Sequence, residues 1–282
     1  MKATEQLKRL VEQMPDPDGR GMYTENIDKQ KIAQAVAEIA DGGAAHVLGL
    51  IELLGPPGSK ENAKPHYALH CVVNHTLVVA DEQRRAAFCQ AIASQLENQQ
   101  LHPNNRAFLC QQLQWAGRDE SCPALGNVLL DADVSDAAAM ALAAIGGERA
   151  ASQLRAAVPR AQGKSRLNVI DALAAVADPN AAPIFRSALS DQDREVRIAA
   201  AAGLAKLGQS DAGDPLLNAA DSSSGWERTQ TTHACLVLAE KLAAAGKKSQ
   251  AKQIYRRLQT TRTGDAEQHV RDAAARGLAA IG

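Results

Sequence analysis

Leu142, Leu173 and Leu204 stand 31 residues apart, and so do Ile145, Val176 and Leu207, and Ala150, Ala181 and Ala212. A fixed period of this size implies a stack of short units, each burying its apolar side only against its neighbours. Such an array grows along one axis, so 282 residues need not divide into separate globular cores. Only 3% of the chain is aromatic while alanine is abundant. Alanine favours helix and lets helices approach closely.

The register extends in both directions as one signature: an apolar residue, two others, an apolar or small residue, then Gly, Ala or Asp. It reads Val36-x-x-Ile39-Ala40, Leu77-x-x-Ala80-Asp81, Leu113-x-x-Ala116-Gly117 and Leu142-x-x-Ile145-Gly146. It continues as Leu173-x-x-Val176-Ala177, Leu204-x-x-Leu207-Gly208, Leu242-x-x-Ala245-Gly246 and Leu278-x-x-Ile281-Gly282. Successive spacings are 41, 36, 29, 31, 31, 38 and 36. Each signature is expected to close a helix, its apolar pair ending the buried stripe and Gly following the last turn. Pro123, Pro183 and Pro215 mark a second, shorter set of helices, because proline is tolerated where the first amides have no acceptor. Asp131 and Asp191 are placed to cap the helices after them. Including residues 4–14, the pattern predicts eight pairs and sixteen helices, with no period-two strand. Residues 14–21 and 55–60, rich in Pro and Gly, read as surface loops.

The net charge of -1 and pI near 6.7 give no global field toward nucleic acid or an anionic membrane. No apolar run approaches the roughly 20 residues that span a bilayer. Neither nucleic-acid binding nor membrane insertion is therefore expected. The charged N-terminus lacks the apolar stretch of a secretory signal. Cys71, Cys89, Cys110, Cys122 and Cys235 are odd in number without CxxC spacing, which fits small buried residues in a reducing, cytoplasmic setting. Cys110 and Cys122 flank Gly117, a spacing that leaves a bridge across that turn open.

At Asp191-x-Asp193-x-x-Val196-Arg197-x-Ala199-Ala200-Ala201-x-x-Leu204-x-x-Leu207-Gly208, with Pro183 upstream, the chain resembles a HEAT repeat of the short bacterial, bilin-lyase type. Val270-Arg271-x-Ala273-Ala274-Ala275-x-x-Leu278 repeats the match. The resemblance implies an all-α, right-handed α-solenoid of about eight helix pairs. Its Pro-containing helices would lie outside and its Val-Arg helices would line a concave face. The chain is then one array, irregular over residues 1–117, regular over 118–220 and longer in period over 221–282. The family mostly supplies protein-binding scaffolds and, less often, enzymes.

Seven residues before the signatures stand Lys29, His70, Arg106, Ser135, Arg166, Arg197, Cys235 and Arg271. Four residues earlier come Glu25, His66, His102, Asp131, Gln162, Asp193, Thr231 and Glu267. An acid four before a base supports a helix. In HEAT repeats the equivalent Asp and Arg bond between units as a ladder; the alternative is a groove that reads anions.

His66 and His70 have the i, i+4 spacing of a zinc pair, and Cys71 and His75 form a second pair. One residue turns a helix by about 100°, so the pairs diverge and no third ligand is at hand. No metal or other cofactor is expected. Asp16-x-Asp18-Gly19 begins like a calcium loop but lacks the later ligands. The His-Glu dipeptides of the HEAT-repeat hydroxylase are missing, and two Trp with little charge fit a DNA glycosylase poorly. Residues 247–262, with six Lys and Arg, read as the solvated face of an outer helix. Trp115 aligns with Lys206, a solvent-leaning position, and is the best candidate for an exposed anchor.

The expected function is a non-catalytic protein–protein interaction scaffold using the concave face, with Trp115, Trp226, Arg106, Arg166, Arg197, Arg271, His70 and Asn74 as binding candidates. No catalytic residue is nominated. The partner would be a protein or an adjacent domain of the same polypeptide, since an array closing at Gly282 without a polar cap suggests a longer protein. The alternative is a bilin-lyase-like or DNA-glycosylase-like enzyme or ligand carrier, which would show a pocket with convergent polar groups.

Overall fold

The computed structural model describes residues 3–23 and 27–282. Its regular structure among those residues is entirely helical, sixteen α-helices joined by short turns and four single-turn 3-10 segments. The chain divides into two compact units, residues 1–153 and 154–282. The first holds α1 (Glu5–Val11), α2 (Lys29–Asp41), α3 (Gly43–Glu52), α4 (Lys60–Val79), α5 (Glu82–Ala93), α6 (Pro103–Ala116), α7 (Cys122–Asn127) and α8 (Ser135–Ile145). The division falls inside α9 (Gly147–Ala157). The second unit continues with α10 (Gly163–Val176), α11 (Ala182–Ala188), α12 (Arg194–Leu207), α13 (Gly213–Ser222), α14 (Gly225–Ala244), α15 (Lys248–Thr261) and α16 (Gln268–Ile281).

Within each unit the even helices pack on one another, and α1, α3, α5, α7, α11, α13 and α15 each pack on the even helix after them, which makes two layers. All eight signatures end even helices, as the register requires. The first halves of the signatures are mostly buried, and Leu113, Leu142, Leu173, Leu204 and Leu242 are fully so. Leu77 differs: the buried stripe of α4 stops at Thr76, and Leu77 is 38% exposed where a core residue was expected.

Helix ends follow side-chain chemistry. Thr4, Ser59, Asp81 and Asp193 accept amide hydrogens from the first turns of α1, α4, α5 and α12. Helix α12 ends at Gly208 in the left-handed region, φ +67. Helices α4 and α10 end there too, but on Ala80 and Ala177, where a β-carbon opposes that backbone. Asp131 and Asp191 do not cap the helices after them: each carboxylate accepts the amide two residues on, from Asp133 and Asp193. The caps proper are Val134, which makes no side-chain bond, and Asp193.

One detail fixes how odd helices seat on even ones. A β-carbon at Gly203 would lie 2.7 Å from the Phe185 ring, and one at Gly277 only 2.4 Å from the Tyr255 ring. Both glycines directly precede a signature leucine, so the same slot of α12 and α16 receives the aromatic residue of α11 and α15. All five cysteines are free, Cys110 and Cys122 included. Burial pushes the thiols of Cys110 and Cys235 up to about 12.

Candidate functional site

The arginine slots are engaged within the protein. Arg106, 2% exposed, donates to Leu96 O at 2.7 Å and to Asp131 at 2.6 Å. Arg166 bonds Asp191 at 2.5 Å and Val158 O at 3.3 Å. Arg197 grips both oxygens of Glu227 at 2.6 and 2.7 Å and also donates to Asp191 O. Arg271 donates to Arg262 O at 2.6 Å and Gly264 O at 2.8 Å. Each guanidinium thus ties the start of an even helix to the carbonyls before it, and the first three add an acid from the next repeat. Bonds from Arg197 hold the Glu227 carboxyl below the usual range. Burial acts to raise Asp131, yet Arg106 and the Asp133 amide outweigh it and lower it. Glu25, the acid four before Lys29, lies outside the described residues.

Further rungs lie off the predicted slots. Arg85, 3% exposed, meets Glu82 and Glu120 at 2.6 Å each and Ala116 O at 2.5 Å. Arg155 bonds Asp178. In α14 the slot residue Cys235 is buried, and Arg228, two turns earlier on the same face, bonds Glu267 at 2.7 Å instead. The signal was present: the 38-residue spacing is the regular 31 plus 7, and α14 has 20 residues against 14 in α12.

His70, Asn74 and Trp115 are brought together in unit 1. The Nδ1 of His70 donates to Gln112 Oε1 at 3.1 Å, and its Nε2 accepts from Asn74 Nδ2 at 3.0 Å. Both ring nitrogens are therefore committed, which fixes the ring's orientation. Trp115 meets that ring edge-on at 5.1 Å and 78° while remaining 54% exposed. His66 instead stacks on Phe108 at 3.6 Å; burial, helped by the charge of His70, pulls its pKa below the usual histidine value. Among the described residues no group of three or more His, Cys, Asp or Glu is placed to hold a metal. Trp226, 58% exposed, sits in the first turn of α14 in unit 2.

The two loops are organised by their own polar groups. Asp18 accepts the amides of Arg20 and Met22 at 2.8 and 2.9 Å, and Ser59 caps α4. In α15, Ile254, Tyr255 and Leu258 point inward, while Arg257 bonds Asp221. A cavity of about 750 Å³ opens in unit 2 between α14 and the start of α16; no feature of the repeat pattern signals it.

Residues 160–236 match the family model for HEAT repeats. That stretch is thus built of HEAT repeats. An engineered protein resembles it at 20% identity and a TM-score of 0.44, over 99% of this chain and 79% of that one. The complex of CpcE and CpcF of phycocyanin lyase from Nostoc sp. PCC7120 is similar at 15% identity and a TM-score of 0.38, over 90% and 94%. A second engineered protein matches at 18% identity and a TM-score of 0.25, over 99% and 97%. A comparison with curated proteins finds no match. Among the described residues no helix is long and apolar enough to cross a membrane.

Proposed function

We propose that this protein is a non-catalytic interaction scaffold whose even-helix layer docks a protein segment or an adjacent domain, with Trp115 as the anchor. The observation that carries this reading is an indole more than half exposed yet held in place by a histidine whose two nitrogens are both bonded. Rigid exposed tryptophans dominate interface energies because they bury a large area at little entropic cost. Val79, 51% exposed, occupies the equivalent register position on α4 and extends the apolar surface. The arginines of the ladder serve the fold, so an anion-reading groove built from them is the weaker option.

Photo-crosslinking tests the proposal. A benzophenone side chain at position 115 is expected to give a discrete adduct that one at Arg256, exposed on α15, does not. With the captured partner in hand, Trp115→Ala should weaken binding by roughly 2 kcal/mol, about 30-fold. Identical adducts from both positions, or unchanged affinity in Trp115→Ala, would sink the assignment.

A further inference from the structure

In unit 2 lysines close the ends of the even helices before them. Lys206 Nζ of α12 donates to Ala175 O of α10 at 2.5 Å, and Lys241 Nζ of α14 donates to Lys206 O at 2.9 Å. Both accepting carbonyls hold the same place in their helices, two residues past the signature leucine. An ammonium suits that place, because the last carbonyls of a helix lack an intrahelical donor and carry the negative end of its dipole.

In unit 1 the corresponding carbonyl of α6 is Trp115 O, and the residue of α8 in register to serve it is Ala144. Alanine has nothing to donate. The Gly117 amide takes up Leu113 O and Arg85 takes up Ala116 O, but Gln114 O and Trp115 O receive no hydrogen bond from the described residues. A cavity of about 540 Å³ opens at this point. Trp115, Ala144 and Ile145 form its apolar side, and Arg118, Asp119 and Glu120 its charged side. Arg118 is held by Glu82 at 3.1 Å and Glu120 by Arg85 at 2.6 Å, whereas Asp119 has no ionic partner among the described residues. Free helix-end carbonyls, one unmatched carboxylate and an exposed indole thus share a single cavity.

We infer that this cavity takes a lysine side chain presented by a partner protein. Its methylenes lie on Trp115 and Ala144, and its ammonium donates to Trp115 O with Asp119 as counter-charge, as Lys206 serves Ala175 O within unit 2. An apolar side chain would leave the carbonyls without a donor, and an acidic one would meet Asp119 and Glu120. The inference rests on Trp115 as the docking anchor and adds the chemistry of the segment it docks.

Short peptides of alanine around a central lysine, Nε-acetyl-lysine, Nε-trimethyl-lysine or norleucine test it, with the indole N–H signals of Trp115 and Trp226 followed by NMR. The lysine peptide should shift Trp115 saturably with a Kd below about 10 mM and leave Trp226 unmoved, and the other three should bind at least about fivefold more weakly. Acetylation and norleucine remove the charge, while trimethylation keeps the charge and removes the N–H donors. Ala144→Lys, at an exposed position, supplies the ammonium from within: it should raise the Tm and abolish binding of the lysine peptide. Asp119→Asn should weaken that binding at least about threefold. No saturation by the lysine peptide, equal or tighter binding of the trimethyl-lysine or norleucine peptide, or a lowered Tm or wild-type affinity in Ala144→Lys would each overturn the inference. A partner captured at position 115 that binds Ala144→Lys unweakened would overturn it too, yet leave Trp115 as the anchor. Capture of no partner would fail the anchor instead, and the peptide titration alone then decides the lysine slot.

Discussion

Unit 1 and unit 2 use the same register position in opposite ways. Two residues after each signature leucine, unit 2 places Lys206 on α12 and Ala175 on α10, and the Lys206 ammonium caps α10 by donating to Ala175 O at 2.5 Å. Lys241 of α14 reaches back likewise to Lys206 O at 2.9 Å. Unit 1 places Val79 and Trp115 there, both more than half exposed. In unit 2 lysines at this edge of the layer close the ends of α10 and α12. On α4 and α6 the edge instead carries apolar side chains that the fold leaves exposed, while α2 places Glu38 there.

The largest expected effect separates the two units at the signature leucine. Leu204→Ala, which empties a fully buried site in unit 2, should cost about 3 kcal/mol, whereas Leu77→Ala in unit 1 should cost no more than about 0.5 kcal/mol. Urea denaturation of both variants checks this, and similar losses would break the comparison. Next is the ladder, which both units share. Arg106→Met should destabilise by about 3 kcal/mol by leaving Leu96 O and Asp131 without their partner, while the less buried Arg197→Met should cost about half of that. The smallest effect is a gain. Ala177→Gly relieves a β-carbon at φ +58 and should raise stability by about 1 kcal/mol, giving α10 the terminal residue that α12 already has in Gly208; a lower Tm would show that the backbone there is not strained.

Much of the fold was legible because stacking forces a repeated side-chain requirement. Buried leucines at 142, 173 and 204 recur since each meets the same neighbours, and the turn residues after them mark helix ends. Leu77 shows the limit: its pattern is right, but burial depends on what lies across from it, which the pattern does not encode. The candidate site was partly readable. Trp115 stood out by its mismatch with Lys206, and the structure leaves it exposed. Gln112, which orients His70, was invisible, because a buried glutamine gains meaning only from the helix facing it. Arg85 and Arg262 were hidden for a related reason: they bridge helices through long side chains at positions without a repeat equivalent. The cavity in unit 2 left no trace in the register at all.

The seven extra residues of the 38-residue repeat carry a lesson about growth. Seven residues turn a helix almost two full revolutions, missing by only about 20°. An addition of that size therefore lengthens α14 at its start without rotating its face, and the tie to the next repeat moves from the slot of Cys235 to Arg228. Five residues would swing the same face through about 140° and turn the buried stripe toward water. An even helix can therefore grow safely only in near-whole turns, so its own permissible lengths form a discrete ladder of sizes, while other increments fall to the turns and odd helices.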